Sequence, residues 1–202
     1  MFDLLVKNFT EHDFLARYNL SGADRRVLNA GSSSVRYNMN CVNVDIRPKR
    51  NVDVICDIHN VPALPGQFDA IVCNAVLQYC QDPHSVALEF HRILKSGGYL
   101  FLDAPWIQPF CQDTVDRFRF SEDALKSLFS MFEIIEVGPS IRPGSAFAML
   151  GVHIAGSLTA NRYINWLLRK TVTACLFPFR WIRTVDESNT AGAFYMICKK
   201  SE

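Results

Sequence analysis

Short apolar runs punctuate the chain between Arg26 and Pro105, and the first four stop at glycine or at a polar residue. They are Arg26 to Ala30 (then Gly31), Cys41 to Val44 (then Asp45), Val52 to Cys56 (then Asp57), Phe68 to Cys73 (then Asn74) and Gly98 to Ala104. Runs rich in Val, Ile and Leu, without strict alternation, predict parallel strands covered on both faces. A helical period marks the stretches around them. Phe9 to Leu20 predicts an amphipathic helix with Phe9, Phe14, Leu15 and Tyr18 toward the body, stopped by Ser21-Gly22. Asp82-Pro83 opens a second helix, with Val86, Phe90, Ile93 and Leu94 on one face and Gly97-Gly98 past its end. Ser121 caps a third, EDALKSLFSMF, ahead of a strand from Phe132 to Val137. The last strand, Ala193 to Lys199, follows a long excursion over 138–190. There Ala160 to Leu176 repeats Tyr163, Ile164, Leu167, Leu168, Val172 and Cys175 on one side and Arg162, Asn165, Arg169 and Lys170 on the other. Only the ten residues GSSSVRYNMN separate the first two strands, too few for a crossover helix, so a loop or one helical turn makes that link.

This order predicts one α/β domain over 1–202, with an N-terminal helical segment at 1–25 and a basic, apolar insertion or cap at 138–190. Open α/β sheets bind ligands outside the carboxyl ends of their strands, where Gly31, Asp45, Asp57 and Asn74 fall. Gly31 lets a ligand approach the N–H groups of Ser32, Ser33 and Ser34 without a Cβ in the way. Asp45 is the residue type that accepts hydrogen bonds from both hydroxyls of a ribose. Asp57 can accept the exocyclic amine of an adenine, with Ile58 offering the next N–H and an apolar flank. Each also has a plainer reading: a turn glycine, a solvated strand-end acid, a helix-capping Asp. The G-x-G-x-x-G fingerprint of nicotinamide enzymes is absent.

Composition narrows the class. The 202 residues are 49% hydrophobic and 20% charged, ordinary for a globular domain, and a net charge of +1 gives no footprint for nucleic acid. Charge is unevenly spread, however. From Ser140 to Val185 there is no acid, against Arg142, Arg162, Arg169, Lys170, Arg180 and Arg183. Cys41, Cys56, Cys73 and Cys198 lie inside apolar strand patterns, and no Cys/His spacing points to a metal, so the seven cysteines read as structural thiols of a reducing cytoplasm. The N-terminal MFDLLVKNFTEHDF lacks the basic region and apolar core of a secretion signal. Gly144 to Asn161 is uncharged but too rich in Gly, Ser, Thr and His to span a bilayer. The expected location is cytoplasmic. The basic excursion could cap an acceptor pocket with its apolar side on the sheet, contact another copy, or lie peripherally on the inner face of an anionic membrane.

The succession VLNAGSSS, VNVDI, VDVICDIHNVPALPGQFDAIVCNAVLQYCQDP and FHRILKSGGYLFLDAP resembles the class I S-adenosylmethionine-dependent methyltransferases, in particular the type 11 group. The match covers roughly residues 26 to 137 and returns at the last strand. The resemblance implies a Rossmann-like seven-stranded mixed sheet in the order 3-2-1-4-5-7-6, the last strand antiparallel, with helices on both faces. It implies S-adenosyl-L-methionine as cofactor. Asn29, Gly31, Ser32 and Ser33 would lie at the methionine moiety, Asp45 and Ile46 at the ribose, Asp57 and Ile58 at the adenine, and Asn74 and Ala75 at the methionine end. Two positions depart from the family: Asn29 where an acid is usual, and Ser33 where a second glycine is usual. Tyr79 also stands where relatives commonly carry His.

Attack on a sulfonium methyl needs alignment more than activation, and a base only where the acceptor is a hydroxyl or a protonated amine. The candidates are His59, Tyr79, Asp113, Asp116 and His153. The strip DTVDRFRFS is similar to one in relatives that act on sugars and glycolipids, which would put Asp116, Arg117 and Arg119 at the acceptor; a surface loop with an ion pair is the plainer reading. The expected function is methyl transfer to a small-molecule, sugar or lipid-linked acceptor. The alternatives are a non-catalytic subunit or membrane adaptor of the same fold and, further off, a nicotinamide-dependent oxidoreductase.

Overall fold

The computed structural model describes residues 6–22, 24–33, 35–37 and 40–201. Along the chain run α1 (Glu11–Arg17), β1 (Val27–Ala30), β2 (Cys41–Asp45), β3 (Val54–Ile55), β4 (Phe68–Asn74), α2 (Pro83–Ile93), β5 (Leu94–Pro105), α3 (Glu122–Leu128), β6 (Glu133–Ile141), α4 (Pro143–Ser157), α5 (Arg162–Leu176) and β7 (Ala193–Lys199). The strands form one sheet in the order β3-β2-β1-β4-β5-β7-β6. β1 to β5 pair in parallel, and β7 runs antiparallel between β5 and β6. This is the Rossmann-like arrangement expected from the sequence.

Each face of the sheet has its own core. On one, Val86, Phe90 and Ile93 of α2 and Leu125 of α3 pack with Leu28, Ile71, Leu100 and Met196. On the other, Phe9, Phe14 and Leu15 cover Val27, Val72, Phe101 and Ile197. A reciprocal capping box fixes the start of α1: Thr10 accepts from the Asp13 N–H, and the Asp13 carboxylate accepts from the Thr10 N–H at 2.8 Å. The residue before this box, Phe9, stacks on Tyr195 with ring centroids 4.8 Å apart, so α1 enters the fold clamped to the sheet.

Four elements differ from the sequence expectation. β3 shrinks to two residues because the Asp53 carboxylate accepts from the Asn43 N–H at 2.8 Å, so a side chain replaces a rung of the ladder. α2 ends at Ile93 rather than running up to Gly97, since Leu94 is already extended and pairs with Phe68; the irregularity this makes in β5 is absorbed near Gly97, whose φ is +73°. α4 was not anticipated at all. Its small residues are buried on several sides of the first turns (Gly144, Ser145, Ala146, Ala148), so no amphipathic period marks it. Finally, α5 carries no buried residue. It packs on α4, not on the sheet, through Asn165, Arg169, Val172 and Leu176; the last two meet Gly151, and Asn165 donates to the Gly156 carbonyl. The side with Tyr163, Ile164 and Leu167, expected to face the body, is exposed.

Cys41, Cys73, Cys80 and Cys198 are buried, as structural thiols are, while Cys56 and Cys111 are partly buried and Cys175 on α5 is exposed. Burial pushes the Cys198 and Cys80 thiols up to about 12, which holds them protonated and unreactive. Among the described residues no two cysteines are joined in a disulfide.

Candidate functional site

The carboxyl ends of β1, β2, β3 and β4 bring together the residues singled out from the sequence. Gly31 leaves β1 with φ +71°. Its N–H and that of Ser32 both donate to the Val44 carbonyl at 2.9 Å, tying the loop to β2. Ser33 follows with φ +51°, a left-handed conformation that costs a residue with a Cβ. The usual glycine at this position is thereby explained, and Ser33→Gly is expected to raise the Tm by about 2 °C in a thermal melt, a drop indicating that the Lys49 bond to the Ser33 hydroxyl (3.0 Å) matters more. Ser34 lies outside the described residues.

Asp45 ends β2 and is 8% exposed. Its Oδ2 accepts from the Ser33 N–H and its Oδ1 from the Arg47 N–H, each at 2.9 Å. An ionised carboxylate has about four acceptor positions, so each oxygen retains one. Asp57 follows β3. The His59 N–H (3.0 Å) and His59 Nδ1 (2.5 Å) both reach its Oδ1, and neither bond takes Oδ2. Burial works against these bonds, yet they and the imidazole keep the half-exposed Asp57 carboxyl below the ordinary value. Ile58 is buried, 6% exposed, and Ile46, just after β2, is 65% exposed.

Asn29 is buried within β1. Its amide donates to the Val35 carbonyl at 3.0 Å and to Asn43 Oδ1 at 3.2 Å, bracing the loop between β1 and β2. Asn74 closes β4, and Ala75, with φ +55°, donates its N–H to the Asp103 carbonyl at 2.8 Å.

Two buried polar atoms here have no hydrogen-bond partner among the described residues: Ser32 Oγ, in the loop after β1, and Gln78 Oε1, in the 3-10 turn Leu77–Tyr79 after β4. Buried polar groups are rarely left unsatisfied. Both lie at the same end of the sheet as Asp45 and Asp57, as a bound polar molecule would require.

One cluster was missed. Lys7 Nζ reaches Asp103 Oδ2 at 2.6 Å and Asn74 Oδ1 at 3.4 Å, while the Ser140 hydroxyl donates to Asp103 Oδ1 at 2.9 Å. Burial raises the Asp103 carboxyl above its ordinary value, with the Lys7 ammonium and the Ser140 hydroxyl opposing. The sequence signal was an acid inside the apolar run GYLFLDA. It announces a counter-charge without saying where that charge comes from.

The candidate bases are mostly committed elsewhere. His59 is latched, Nδ1 on Asp57 and Nε2 accepting from the Asp82 N–H at 3.3 Å. Asp116 forms a two-pronged pair with Arg119 (2.5 and 2.7 Å) and accepts the Cys111 N–H, and the Arg119 bond lowers its pKa despite burial. Arg117 holds the Tyr79 carbonyl at 2.8 Å, and the Asp113 carbonyl accepts from Arg47 at 3.2 Å, so this strip ties β2 to the turn after β4. Burial and a contact with Cys111 raise the Tyr79 phenol above its ordinary value. His153 sits on α4, about 15 Å along the axis from the helix start at 1.5 Å per residue. Two shallow hollows of about 330 and 420 Å³ are lined by Asp24 with Arg25 and Asp24 with Arg26, Arg36 and Asp53 respectively. They open at the amino ends of the strands and touch none of the residues above.

Comparison with known proteins agrees with this fold. Residues 22–102 match the methyltransferase-domain family of type 11. Over that stretch the chain is similar to methyltransferase domains, and its fold is that of the class I methyltransferases. Solved structures of that fold superpose on nearly the whole chain. The 1,6-didemethyltoxoflavin-N1-methyltransferase of Burkholderia thailandensis does so with TM-score 0.58 at 11% identity, over 93% of this chain and 75% of its own. The geranyl diphosphate C-methyltransferase of Streptomyces coelicolor A3(2) gives TM-score 0.58 at 12% identity, over 94% and 76%. A ubiquinone biosynthesis O-methyltransferase of Pseudomonas aeruginosa is 46% identical over 39 residues, 19% of this chain. The matched stretch spans only 17% of that relative's length, whereas the class I methyltransferase fold extends here through all seven strands.

Proposed function

We propose that the chain is an S-adenosylmethionine-dependent methyltransferase acting on a small-molecule acceptor. The observation that carries this reading is the Asp45 carboxylate, held at the end of β2 by two backbone N–H groups with one acceptor position left on each oxygen. Those positions suit the two hydroxyls of a ribose. Asp57 Oδ2 would accept from the adenine amine, with the Ile58 N–H beside it. Gly31, Ser32 and Ser33 would line the methionine part, and the unsatisfied Ser32 hydroxyl would find its partner there. Asn74 and Ala75 would flank the methionine end. When bound, the cofactor supplies an electrophilic methyl group. The chain's own contribution is alignment of the acceptor and exclusion of water, for which no metal is required. The neighbours named above act on small molecules by their names, and this supports a small-molecule acceptor here, with the side chains beyond β4 and β5 setting its identity.

Calorimetry tests the reading. S-adenosylmethionine is expected to release heat on binding and NAD to release none; the reverse result overturns it. Asp45→Ala is expected to weaken S-adenosylmethionine binding at least tenfold, about 1.4 kcal/mol, while Asp45→Asn, which keeps one acceptor oxygen, loses less. Unchanged affinity in Asp45→Ala would remove this residue from the site.

A further inference from the structure

The insertion between β6 and β7 displays an apolar surface that none of the described residues covers. α5 is amphipathic, yet its contact with α4 is made by Asn165, Arg169, Val172 and Leu176, leaving most of its apolar side outward. Tyr163 is 72% exposed, Trp166 55% and Leu167 48%, with the Tyr163 and Trp166 rings stacked at 6.3 Å. On α4, Phe147, Ile154 and Leu158 form a second exposed stripe, and Phe147 adjoins the exposed Phe179. Trp181 and Ile182 extend the apolar surface beyond them. An ordinary soluble helix turns its apolar side inward; here about a quarter turn separates that side from the contact.

Charge identifies the occupant. Within 140–185 there are six cations and no acid, and Arg162 and Lys170 on α5 are exposed. Two aromatic residues that favour the water–lipid boundary, aliphatic residues between them and a flank of cations without acids are what an anionic bilayer surface binds. A protein partner of matching apolar chemistry would not need the complete exclusion of acids. Among the described residues no helix is long and apolar enough to cross a membrane, so the contact is one of lying on the surface, with the Lys170 stem reaching along the apolar side and its ammonium at the headgroups.

We infer that α5, with the adjoining Phe177–Trp181 turn, is a docking surface for an anionic lipid bilayer. The insertion leaves the sheet after Ile141 and returns at Ala193, which pair with each other, and Pro105 at the carboxyl end of β5 pairs with the same Ala193. Docking would therefore bring the end of the sheet that carries Asp45 and Asn74 toward the lipid. The inference does not depend on the proposed function, since it concerns binding without cofactor or acceptor.

Flotation of the full chain with vesicles tests it. The protein is expected to float with phosphatidylglycerol–phosphatidylcholine vesicles at low salt, to bind pure phosphatidylcholine at least tenfold more weakly, and to be released by high salt. Tyr163→Ser/Trp166→Ser/Leu167→Ser is expected to lose binding at least tenfold with its thermal unfolding unchanged, because none of the three is buried. Arg162→Gln/Lys170→Gln is expected to bind less and with a flatter salt dependence. Tryptophan emission should shift to the blue on adding anionic vesicles. Absence of flotation at low salt, equal binding to both vesicle types, or wild-type binding by the triple serine variant would each overturn the inference. A concentration-dependent dimer abolished by that variant would assign the face to a second copy instead.

Discussion

Lys7→Met is expected to destabilise the protein by about 3 kcal/mol, the lower end of what removing one partner of a buried ion pair costs. Asp103 is 3% exposed, and its carboxylate has two side-chain donors, Lys7 and Ser140. Without the ammonium it keeps a single neutral bond for a full charge. In a thermal melt near pH 7 the Tm should fall by about 10 °C for a chain of this size. The pH dependence gives the mechanism its own signature. The folded-state pKa of Asp103 is already raised by burial, and losing Lys7 raises it further. A raised carboxyl pKa means a penalty that is full above the folded-state value and vanishes as pH falls toward the ordinary value of about 4, where the acid is neutral in both states. The Lys7→Met deficit should therefore shrink on acidification. Lys7→Met/Asp103→Asn removes the charge while keeping an acceptor for Ser140, and should recover most of the loss. A deficit that is constant with pH and persists in the double variant would mean that Lys7 acts by packing alone.

Gly31→Ala is expected to be nearly as damaging, and to strike the candidate site directly. At φ +71° a Cβ costs roughly 1–2 kcal/mol. The added methyl would also lie 2.8 Å from Val76 Cγ1 and closer still to Cγ2, an overpacking of about 1–3 kcal/mol. Relief can come only by moving the loop of Ser32 and Ser33 or the turn after β4. S-adenosylmethionine binding, measured by calorimetry, should be lost along with several degrees of Tm. Gly31→Ala/Val76→Ala separates the two contributions: the clash goes and the backbone strain stays, so part of the stability returns. Full retention of stability by the single variant would show that the loop adjusts freely and that Gly31 is an ordinary turn residue.

The sheet was readable because its strands are local and apolar. β1, β2, β4 and β7 needed only their own composition, and the strand-end positions of Asp45 and Asn74 came with them. Where a side chain replaces backbone pairing, as Asp53 does beside β3, composition exaggerates the strand. α4 was invisible for the opposite reason. Its Gly, Ala and Ser residues pack closely on several sides, and Gly144 comes against the Phe179 carbonyl with no room for a Cβ, so the helix carries no periodic contrast. The Lys7–Asp103–Ser140 cluster joins three segments with no shared motif. The rotation of α5 away from its apolar side was hidden too, since periodicity identifies a face but not the neighbour it meets.

The pairing of Ile141 with Ala193 means that everything between them departs from and rejoins the fold within a single rung. Such an attachment behaves like a cartridge. Helices carried on such a rung can be exchanged, lengthened or discarded without redrawing strand order, because the flanking strands meet each other whatever lies between them.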